Sequence, residues 1–319
     1  MNLDEIKLPI TNELILFNAL LKETLYSKNV LLRKILNYIL KKKGKQIRPI
    51  IVLLSAKLCG LVTTQSLRAA VLVEILHTAS LVHDDVVDNT FKRRGIFSIN
   101  AVWRNKLAVL TGDFMFAQTL LATVKNSDYK LLEIYSDSIK KMSEGEIIQI
   151  ESSRKNLIDE KTYLKIIYNK TASLFAACCQ AGATSACQND SIIYKAKMIG
   201  SCMGMIFQIK DDLLDITSKK LNKTTDSDFM DKKITLPLIY ALKNAKKKSE
   251  ILKIINGNNR EKHIDTVTQF IIDNNGIDDS MRKINTYEIK ALKILDSFND
   301  SNGKEALKNL ISYVSNRAH

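Results

Sequence analysis

The chain has 319 residues, of which 45% are hydrophobic and 26% charged, a composition that excludes collagen-like, disordered and coiled-coil proteins. Eleven glycines and three prolines are too few for the turns of a sheet protein of this length, so we expect a mainly helical fold. The formal net charge of +14 leaves two interpretations open: a basic solvated surface, or an anionic partner such as nucleic acid, an acidic membrane or a phosphorylated small molecule.

Apolar residues recur at helical intervals along the whole chain. They predict helices at residues 12–42, 50–58, 66–88, 104–124, 130–150, 161–182, 191–216 and 237–242, then two or three shorter helices between 260 and 317. Two weakly charged segments, 107–124 and 171–189, contain polar residues, which favours buried helices over membrane spans. No linker or internal repeat divides the chain, so we expect a single all-α domain over residues 1–319.

The five cysteines lie in apolar stretches and lack the paired Cys-x-x-Cys spacing of a zinc site. A reduced cysteine behaves there as a small hydrophobic residue, which indicates a reducing compartment. The N-terminal segment MNLDEIKLPI places acidic residues where a signal peptide needs positive charge. We therefore expect a cytoplasmic protein.

Two apolar helices carry the same acidic pattern, Asp-Asp-x-x-Asp, at Asp84, Asp85, Asp88 and at Asp211, Asp212, Asp215. Residues four apart share a helix face, so the outer aspartates of each motif form a pair of carboxylates. A single motif of this kind is also typical of a solvated helix end, but its repetition favours a metal site. Oxygen ligands without sulfur or paired imidazoles favour Mg²⁺, and the predicted ligands are Asp84, Asp88, Asp211 and Asp215.

Basic residues are interleaved with the two acidic motifs. One pair, Lys45 and Arg48, precedes the first motif, and another, Arg93 and Arg94, follows it. Lys170 begins an uncharged helix. Three lysines follow the second motif: Lys223, Lys232 and Lys233. Arginine donates in bidentate fashion to phosphate oxygens, and lysine supplies a mobile charge. Each basic element alone is typical of a solvated loop. Together with the acids they predict a site for a diphosphate ester and Mg²⁺.

His77 lies on the same helical stripe as the first acidic motif, about two turns before Asp84 and three before Asp88. A histidine at such a position is either a packed core or surface residue or a substrate contact. The sequence alone leaves both interpretations open.

Several segments in chain order together resemble the trans-isoprenyl diphosphate synthases, the family of farnesyl, geranylgeranyl and longer polyprenyl diphosphate synthases. The segments are GKQIRP (44–49), EILHTASLVHDDVVD (74–88), RRG (93–95), GD (112–113), GE (145–146), KTA (170–172), FQIKDDLLD (207–215) and KITLPL (233–238). The resemblance covers residues 40–245. It implies an isoprenoid-synthase-type helical bundle around a deep central cavity, formed as a homodimer.

The resemblance also implies the roles of individual residues. The six motif aspartates and Lys170 would be catalytic, with up to three Mg²⁺ ions held across the cavity mouth and Mn²⁺ as an alternative. Isopentenyl diphosphate would be bound by Lys45, Arg48, His77 and Arg94. The allylic diphosphate would be contacted by Arg93, Lys170, Thr171, Gln208, Lys223 and Lys233.

Product length is expected to depend on Ala79 and Ser80, which lie about one helical turn before Asp84. In the family, short-chain enzymes commonly place an aromatic side chain at this level. Small residues there predict a long product, about octaprenyl and used for quinone side chains, made from farnesyl diphosphate or a shorter primer. Two alternatives remain: the small residues only allow close helix packing, or the enzyme makes farnesyl or geranylgeranyl diphosphate.

Other functions fit fewer features of the sequence. A terpene cyclase shares the first acidic motif, but its second motif normally contains Asn, Ser or Thr with Glu. A basic helical nucleic-acid binder explains the charge but not the two acidic motifs, so we expect no nucleic-acid partner. A subunit that needs a different partner chain stays open, and peripheral membrane contact is compatible with release of a hydrophobic product.

Overall fold

The computed structural model describes residues 2–41, 44–93, 95–155, 159–218, 235–246, 248–257 and 263–317. The first half contains α1 (Leu3–Lys7), a 3₁₀ turn (Leu8–Ile10), α2 (Thr11–Thr24), α3 (Val30–Lys41), α4 (Ile47–Cys59), α5 (Thr64–Val87), β1 (Lys92–Arg93), β2 (Ile96–Phe97), α6 (Ile99–Lys125) and α7 (Tyr129–Lys155). The second half contains α8 (Glu160–Ile167), a π-helical segment (Tyr168–Ala172), α9 (Ser173–Ala186), α10 (Asp190–Ser218), α11 (Leu236–Asn244), α12 (Ser249–Asn256), α13 (Ile264–Asp273), α14 (Gly276–Leu295) and α15 (Asn302–Asn316). The predicted all-α class is confirmed.

Several predicted helices are divided in the structure by local capping and backbone geometry. The segment 12–42 forms α2 and α3, because the Asn29 side chain accepts a hydrogen bond from the Leu32 amide (3.0 Å) and starts a new helix. The segment 161–182 is interrupted by the π-helical segment. In α6, Arg104 has φ 67°, and this break in the helix coincides with the predicted start of the 104–124 helix.

The centre of the bundle is formed by α4, α5, α9 and α10, whose apolar side chains belong to one large buried cluster. Eight consecutive residues of α4, from Pro49 to Ala56, are buried, so this helix is covered on all sides. Its neighbour α9 comes very close, because a Cβ at Gly182 would lie 2.2 Å from the Val52 carbonyl oxygen. Only glycine fits this helix contact, which helps to hold the two motif-bearing helices α5 and α10 around a common core.

The outward face of α6 differs from the sequence-based expectation for residues 107–124. Its apolar side chains are 40% to 53% exposed: Val109, Leu110, Leu120, Leu121 and Val124. The prediction of a buried helix is therefore wrong for this face, although the 171–189 segment is buried through most of α9 as predicted. By length and composition alone, α6 is also the one helix in the described ranges that could cross a membrane; 33% of its apolar window is buried.

Candidate active site

The first acidic motif occupies the end of α5, and its three carboxylates differ in exposure. α5 begins at a capping box formed by Thr63 and Ser66 and ends with Asp88 as its C-cap. Asp85 is buried, Asp84 is half-buried and Asp88 is exposed. The two aspartates that share a helix face are therefore the ones open toward solvent.

The buried Asp85 organises the segment that follows α5. Its carboxylate accepts a hydrogen bond from Arg93 Nε (2.7 Å), and its backbone carbonyl accepts one from Asn100 Nδ2 (2.9 Å). Asp85 therefore ties the short hairpin and the start of α6 to the motif. Asn100 was not found from the sequence, since no local pattern marks it.

Asp84 lies in a concentration of negative charge. Burial, together with the carboxylates of Glu146 and Asp88, raises the pKa of Asp84 to about 6, while Arg93 and Lys170 act in the opposite direction. Carboxylates that destabilise each other in this way favour the binding of a cation between them. Glu146, which belongs to the 145–146 segment of the resemblance, was not predicted as a site residue.

The second acidic motif on α10 repeats the exposure of the first. Asp212 is buried, Asp211 is half-buried and Asp215 is exposed. Asp211 accepts a hydrogen bond from the guanidinium of Arg317, which also donates to the Phe207 carbonyl (2.8 Å). A residue that follows the last helix therefore reaches the motif.

The buried Asp212 belongs to a row of hydrogen-bonded side chains. It accepts from the Tyr163 hydroxyl (2.7 Å) and from Gln208 Nε2 (3.0 Å). Gln208 Oε1 in turn accepts from the Thr171 hydroxyl (2.7 Å). Gln208 and Thr171, two predicted substrate contacts, are thus brought together, whereas Tyr163 was not predicted.

Lys170 is linked to both acidic motifs. Its Nζ is 2.7 Å from Glu146 Oε1 and donates to Gln149 Oε1 at 2.8 Å. Its charge acts on Asp84 of the first motif, and its side chain lines a cavity of about 190 Å³ together with Asp212 of the second. The two motifs therefore converge on one lysine.

Lys170 and Thr171 lie in the π-helical segment between α8 and α9. Two glycines allow neighbouring helices to approach it. A Cβ at Gly145 of α7 would lie 2.9 Å from Lys170 Cγ, and one at Gly204 of α10 would lie 2.4 Å from Ala172 Cα. The segment is therefore closely packed on both sides, and π turns are frequent at functional sites.

A second cavity, of about 800 Å³, brings together three of the four residues predicted to bind isopentenyl diphosphate. Its polar lining includes Lys45, Arg48, His77, Asp85, Arg93 and Arg317. Arg48 NH1 lies 2.8 Å from His77 Nε2, so the structure favours a site role for this histidine. Lys45 is exposed at the edge, with its Nζ 5.9 Å from the centre of the Tyr313 ring.

Aromatic rings lie against two of the three arginines of this cavity, Arg48 and Arg317. The Arg48 guanidinium lies 5.4 Å from the Phe175 ring centre, and Arg317 lies 3.9 Å from that of Phe207. The two rings are 5.1 Å apart. Each of these two arginines thus lies over an aromatic ring, a cation–π contact that restricts its side chain. Phe175, Phe207 and Arg317 were not predicted as site residues.

Ala79 and Ser80 lie elsewhere on α5. Ala79 is fully buried, and the half-buried Ser80 donates its hydroxyl to the His77 carbonyl (2.9 Å). The large cavity lies on the face of α5 that carries Thr78 and Leu81. The role of Ala79 and Ser80 in product length stays a prediction.

Three predicted substrate contacts lie outside the described residues: Arg94, Lys223 and Lys233.

The donors at the motifs fit a hard divalent cation that arrives with its substrate. Among the described residues, no three histidine, cysteine or acidic side chains form a complete metal cage. Mg²⁺ usually takes only one or two carboxylates and completes its shell with water and substrate phosphates. The outer aspartates and the crowded charge at Asp84 match that requirement.

Comparison with known proteins agrees with this geometry. The family model described as polyprenyl synthetase matches residues 29–272. Heptaprenyl diphosphate synthase component 2 of Bacillus subtilis is 34% identical over 299 residues, covering 93% of this chain and 86% of that protein. Octaprenyl diphosphate synthase of Haemophilus influenzae is 32% identical over 319 residues, covering 99% and 97%.

A solved structure also superposes along the whole chain. The polyprenyl synthase from Caulobacter crescentus CB15, complexed with calcium and isoprenyl diphosphate, gives a TM-score of 0.91 at 29% identity and covers 100% of this chain and 98% of that one. That complex pairs a divalent cation with a diphosphate, the two ligands for which the acidic and basic groups are suited. The chain therefore belongs to the polyprenyl synthetase family of prenyltransferases.

Proposed function

We propose that the chain catalyses the Mg²⁺-dependent, sequential condensation of isopentenyl diphosphate onto an allylic diphosphate, with farnesyl diphosphate or a shorter primer. One observation carries the proposal: Lys170 acts on Asp84 of the first motif and lines a cavity with Asp212 of the second, while Asp85 of the first motif lines a second cavity together with basic residues. Departure of a diphosphate requires both metal-binding carboxylates and phosphate-binding cations.

Lys45, Arg48 and His77 are proposed to hold isopentenyl diphosphate. The Phe175 ring and His77 restrict the Arg48 side chain, so little conformational freedom is lost when its guanidinium donates to phosphate oxygens. Lys45 is exposed at the edge of the cavity and contributes a more mobile positive charge.

Arg93, Lys170, Thr171 and Gln208 are proposed to face the allylic diphosphate. When bound at Asp84, Asp88, Asp211 and Asp215, Mg²⁺ supplies positive charge that neutralises the leaving diphosphate. The allylic carbon–oxygen bond breaks, the isopentenyl double bond forms the new carbon–carbon bond, and a proton passes to the departing diphosphate. Phe175 and Phe207 line the cavity and exclude water from the cationic carbon.

We further propose a long product, about octaprenyl, that serves as a quinone side chain. Ala79 and Ser80 support a long product because neither presents an aromatic ring one turn from Asp84. The heptaprenyl and octaprenyl names of two relatives agree with this range. Chromatography of the products will give the length directly.

A homodimer is proposed on the exposed apolar face of α6. Val109, Leu110, Leu120, Leu121 and Val124 recur at helical spacing, and an apolar face of this length is typical of a surface that a second chain covers. A second copy carries the same face, so a two-fold arrangement buries both faces at once.

We also propose a cytoplasmic location, which agrees with five free thiols.

The experiment is incubation of the purified chain with Mg²⁺, farnesyl diphosphate and labelled isopentenyl diphosphate, followed by chromatography of the prenyl products. We expect long prenyl diphosphates, and no product after the metal is chelated. The Asp84→Asn variant should be inactive, whereas Asp296→Asn, at an exposed site, should be active. Consumption of the allylic diphosphate without isopentenyl diphosphate would contradict the proposal and indicate a cyclase.

A second candidate is a catalytic chain that requires a different partner subunit. It is favoured by the name of the Bacillus subtilis relative, which is one component of its enzyme. Turnover by the purified chain alone excludes this candidate. Binding of both substrates without turnover would support it.

A further inference from the structure

Behind the predicted allylic site lies a row of four side chains contributed by three separate elements. Tyr163 comes from α8, Asp212 and Gln208 from α10, and Thr171 from the π-helical segment. Three hydrogen bonds of 2.7, 3.0 and 2.7 Å join them from Tyr163 through Asp212 and Gln208 to Thr171. Tyr163 and Asp212 are only 6% and 5% exposed, so this end of the row is buried.

The donors and acceptors available on these four side chains determine which of them donates and which accepts in each hydrogen bond. An ionised carboxylate only accepts, so Asp212 takes the Tyr163 proton donor on one oxygen and the Gln208 amide nitrogen on the other. With its nitrogen committed to Asp212, Gln208 presents its carbonyl oxygen to Thr171. The single hydroxyl proton of Thr171 is used in that bond. Its remaining hydrogen-bonding capacity consists of lone pairs.

We propose that Tyr163 is a positioning residue of the prenyl-transfer site, which acts through Asp212 and Gln208 to make Thr171 a hydrogen-bond acceptor toward the substrates. An acceptor is unfavourable beside an anionic phosphate oxygen but favourable beside an electron-poor group. Within the allylic substrate, Thr171 then faces the carbon that becomes positively charged, while Arg93 and Lys170 contact the phosphate oxygens. The inference rests on the proposed placement of Thr171 at the allylic substrate.

Without the Tyr163 hydroxyl, Asp212 loses one of the bonds that fix its carboxylate plane. The side-chain amide of Gln208 can then flip, which exchanges the positions of its oxygen and nitrogen. The Thr171 hydroxyl is then no longer required to donate its hydrogen bond to Gln208. Loss of a supporting hydrogen bond of this kind typically lowers activity by about 10–100-fold. The loss should be in kcat, because isopentenyl diphosphate is held by Lys45, Arg48 and His77.

The test is steady-state kinetics of Tyr163→Phe, with Tyr135→Phe as the matched control. Tyr135 is another buried tyrosine, and its hydroxyl donates to the Ala69 carbonyl (2.8 Å), so both variants lose one buried hydrogen bond. We expect Tyr163→Phe to lower kcat by about 10-fold with an unchanged KM for isopentenyl diphosphate. We expect Tyr135→Phe to keep the wild-type kcat, with a similar loss of thermal stability.

A double-mutant cycle identifies the route of the effect. If Tyr163 acts through Thr171, Tyr163→Phe should cause no further loss of kcat in a Thr171→Val background. An equal loss in both backgrounds, or a wild-type kcat for folded Tyr163→Phe, overturns the inference. Failure of the proposed function is a separate result, because then the wild-type chain itself would not consume isopentenyl diphosphate.

Discussion

The guanidinium of Arg317 donates a hydrogen bond to the carboxylate of Asp211, a residue 106 positions earlier in the chain. Arg317 therefore supplies positive charge at a predicted metal ligand, and its side chain is largely covered (10% exposed). Because the same carboxylate oxygens would bind a metal, the arginine and the metal compete for Asp211.

Arg317→Gln is expected to tighten Mg²⁺ binding to the substrate-free protein. Removing the competing charge should lower the apparent Kd for Mg²⁺ by about 2–5-fold, the range for a partly exposed ion pair. The measurement is a Mg²⁺ titration followed by thermal unfolding. Arg282→Gln is the control, since Arg282 pairs with Asp279 at the surface. Weaker Mg²⁺ binding by Arg317→Gln would show that the arginine supports the metal instead.

Asp84→Asn should stabilise the metal-free protein while it abolishes activity. The folded state raises the pKa of Asp84 from 3.8 to about 6, so folding favours the protonated form. The carboxyl therefore becomes destabilising as the pH rises from about 4 through 6, and the effect is complete above 6. The variant lacks this charge, so its advantage in Tm should grow over the same interval.

Thermal unfolding at pH 4.5 and pH 7.5 without metal measures this difference. We expect Asp84→Asn to gain about 1–3 °C over wild type at the higher pH and little at the lower. Asp296→Asn, at an exposed position, controls for the amide substitution. A variant that is less stable than wild type at pH 7.5 argues against carboxylate repulsion at the motif.

Substitutions at Ala79 should shorten the prenyl product, and the product should be shorter the larger the introduced side chain, from Val through Leu to Tyr. A larger side chain one turn from Asp84 blocks the growing prenyl chain, so Ala79→Tyr should give products of the farnesyl to geranylgeranyl class. Product chromatography measures the length. Ala79 is fully buried, and overpacking costs about 1–3 kcal/mol, so Tm is measured in parallel.

Ala56→Val is the control for Ala79→Val, since Ala56 is an equally buried alanine of α4. It should lose stability without a change in product length. An unchanged product from folded Ala79→Tyr would refute the assignment of Ala79 to chain length.

Leu120→Glu on α6 should convert the proposed dimer into monomers. The substitution would bury an unpaired carboxylate twice in each dimer, once from each chain. Burial of an unpaired charge has a high free-energy cost, so dimer formation should be strongly disfavoured. Light scattering after size-exclusion chromatography measures the mass. Leu61→Glu is the control, because Leu61 is 84% exposed between α4 and α5. A monomeric wild type, or a dimeric Leu120→Glu, would be incompatible with this interface.

The motif aspartates could be found from the sequence because their signal is local. Spacing of four residues on an apolar helix determines that Asp84 and Asp88 share a face, whatever the rest of the chain does. The same is true of the all-α class, which follows from composition and periodicity. Residues that reach the site through tertiary packing carry no such pattern. Tyr163 on α8, and Arg317 directly after α15, meet the second motif only because these helices pack near α10.

The outward face of α6 shows a different limit of sequence reasoning. An apolar periodic helix predicts a buried face, but it does not distinguish burial within one chain from burial against another. Leu120 and Leu121 therefore have the same signature as core leucines, although both are 52% exposed in the single chain. The π-helical segment was also missed, since its residues have ordinary helical propensity.

That π turn makes segment length, and not only residue identity, important for the enzyme. The hydrogen-bonded ring of a π turn contains one residue more than that of an α-helical turn. Deletion of Asn169 would therefore let α8 and α9 join into one continuous α-helix. The two flanking helices would keep their mutual orientation, because the wide turn is what accommodates the additional residue, but the residues of the turn itself would be redistributed around the helix axis. Lys170 and Thr171 could not both keep their present directions. Evolution at this stretch should therefore accept exchanges of side chains far more readily than insertions or deletions.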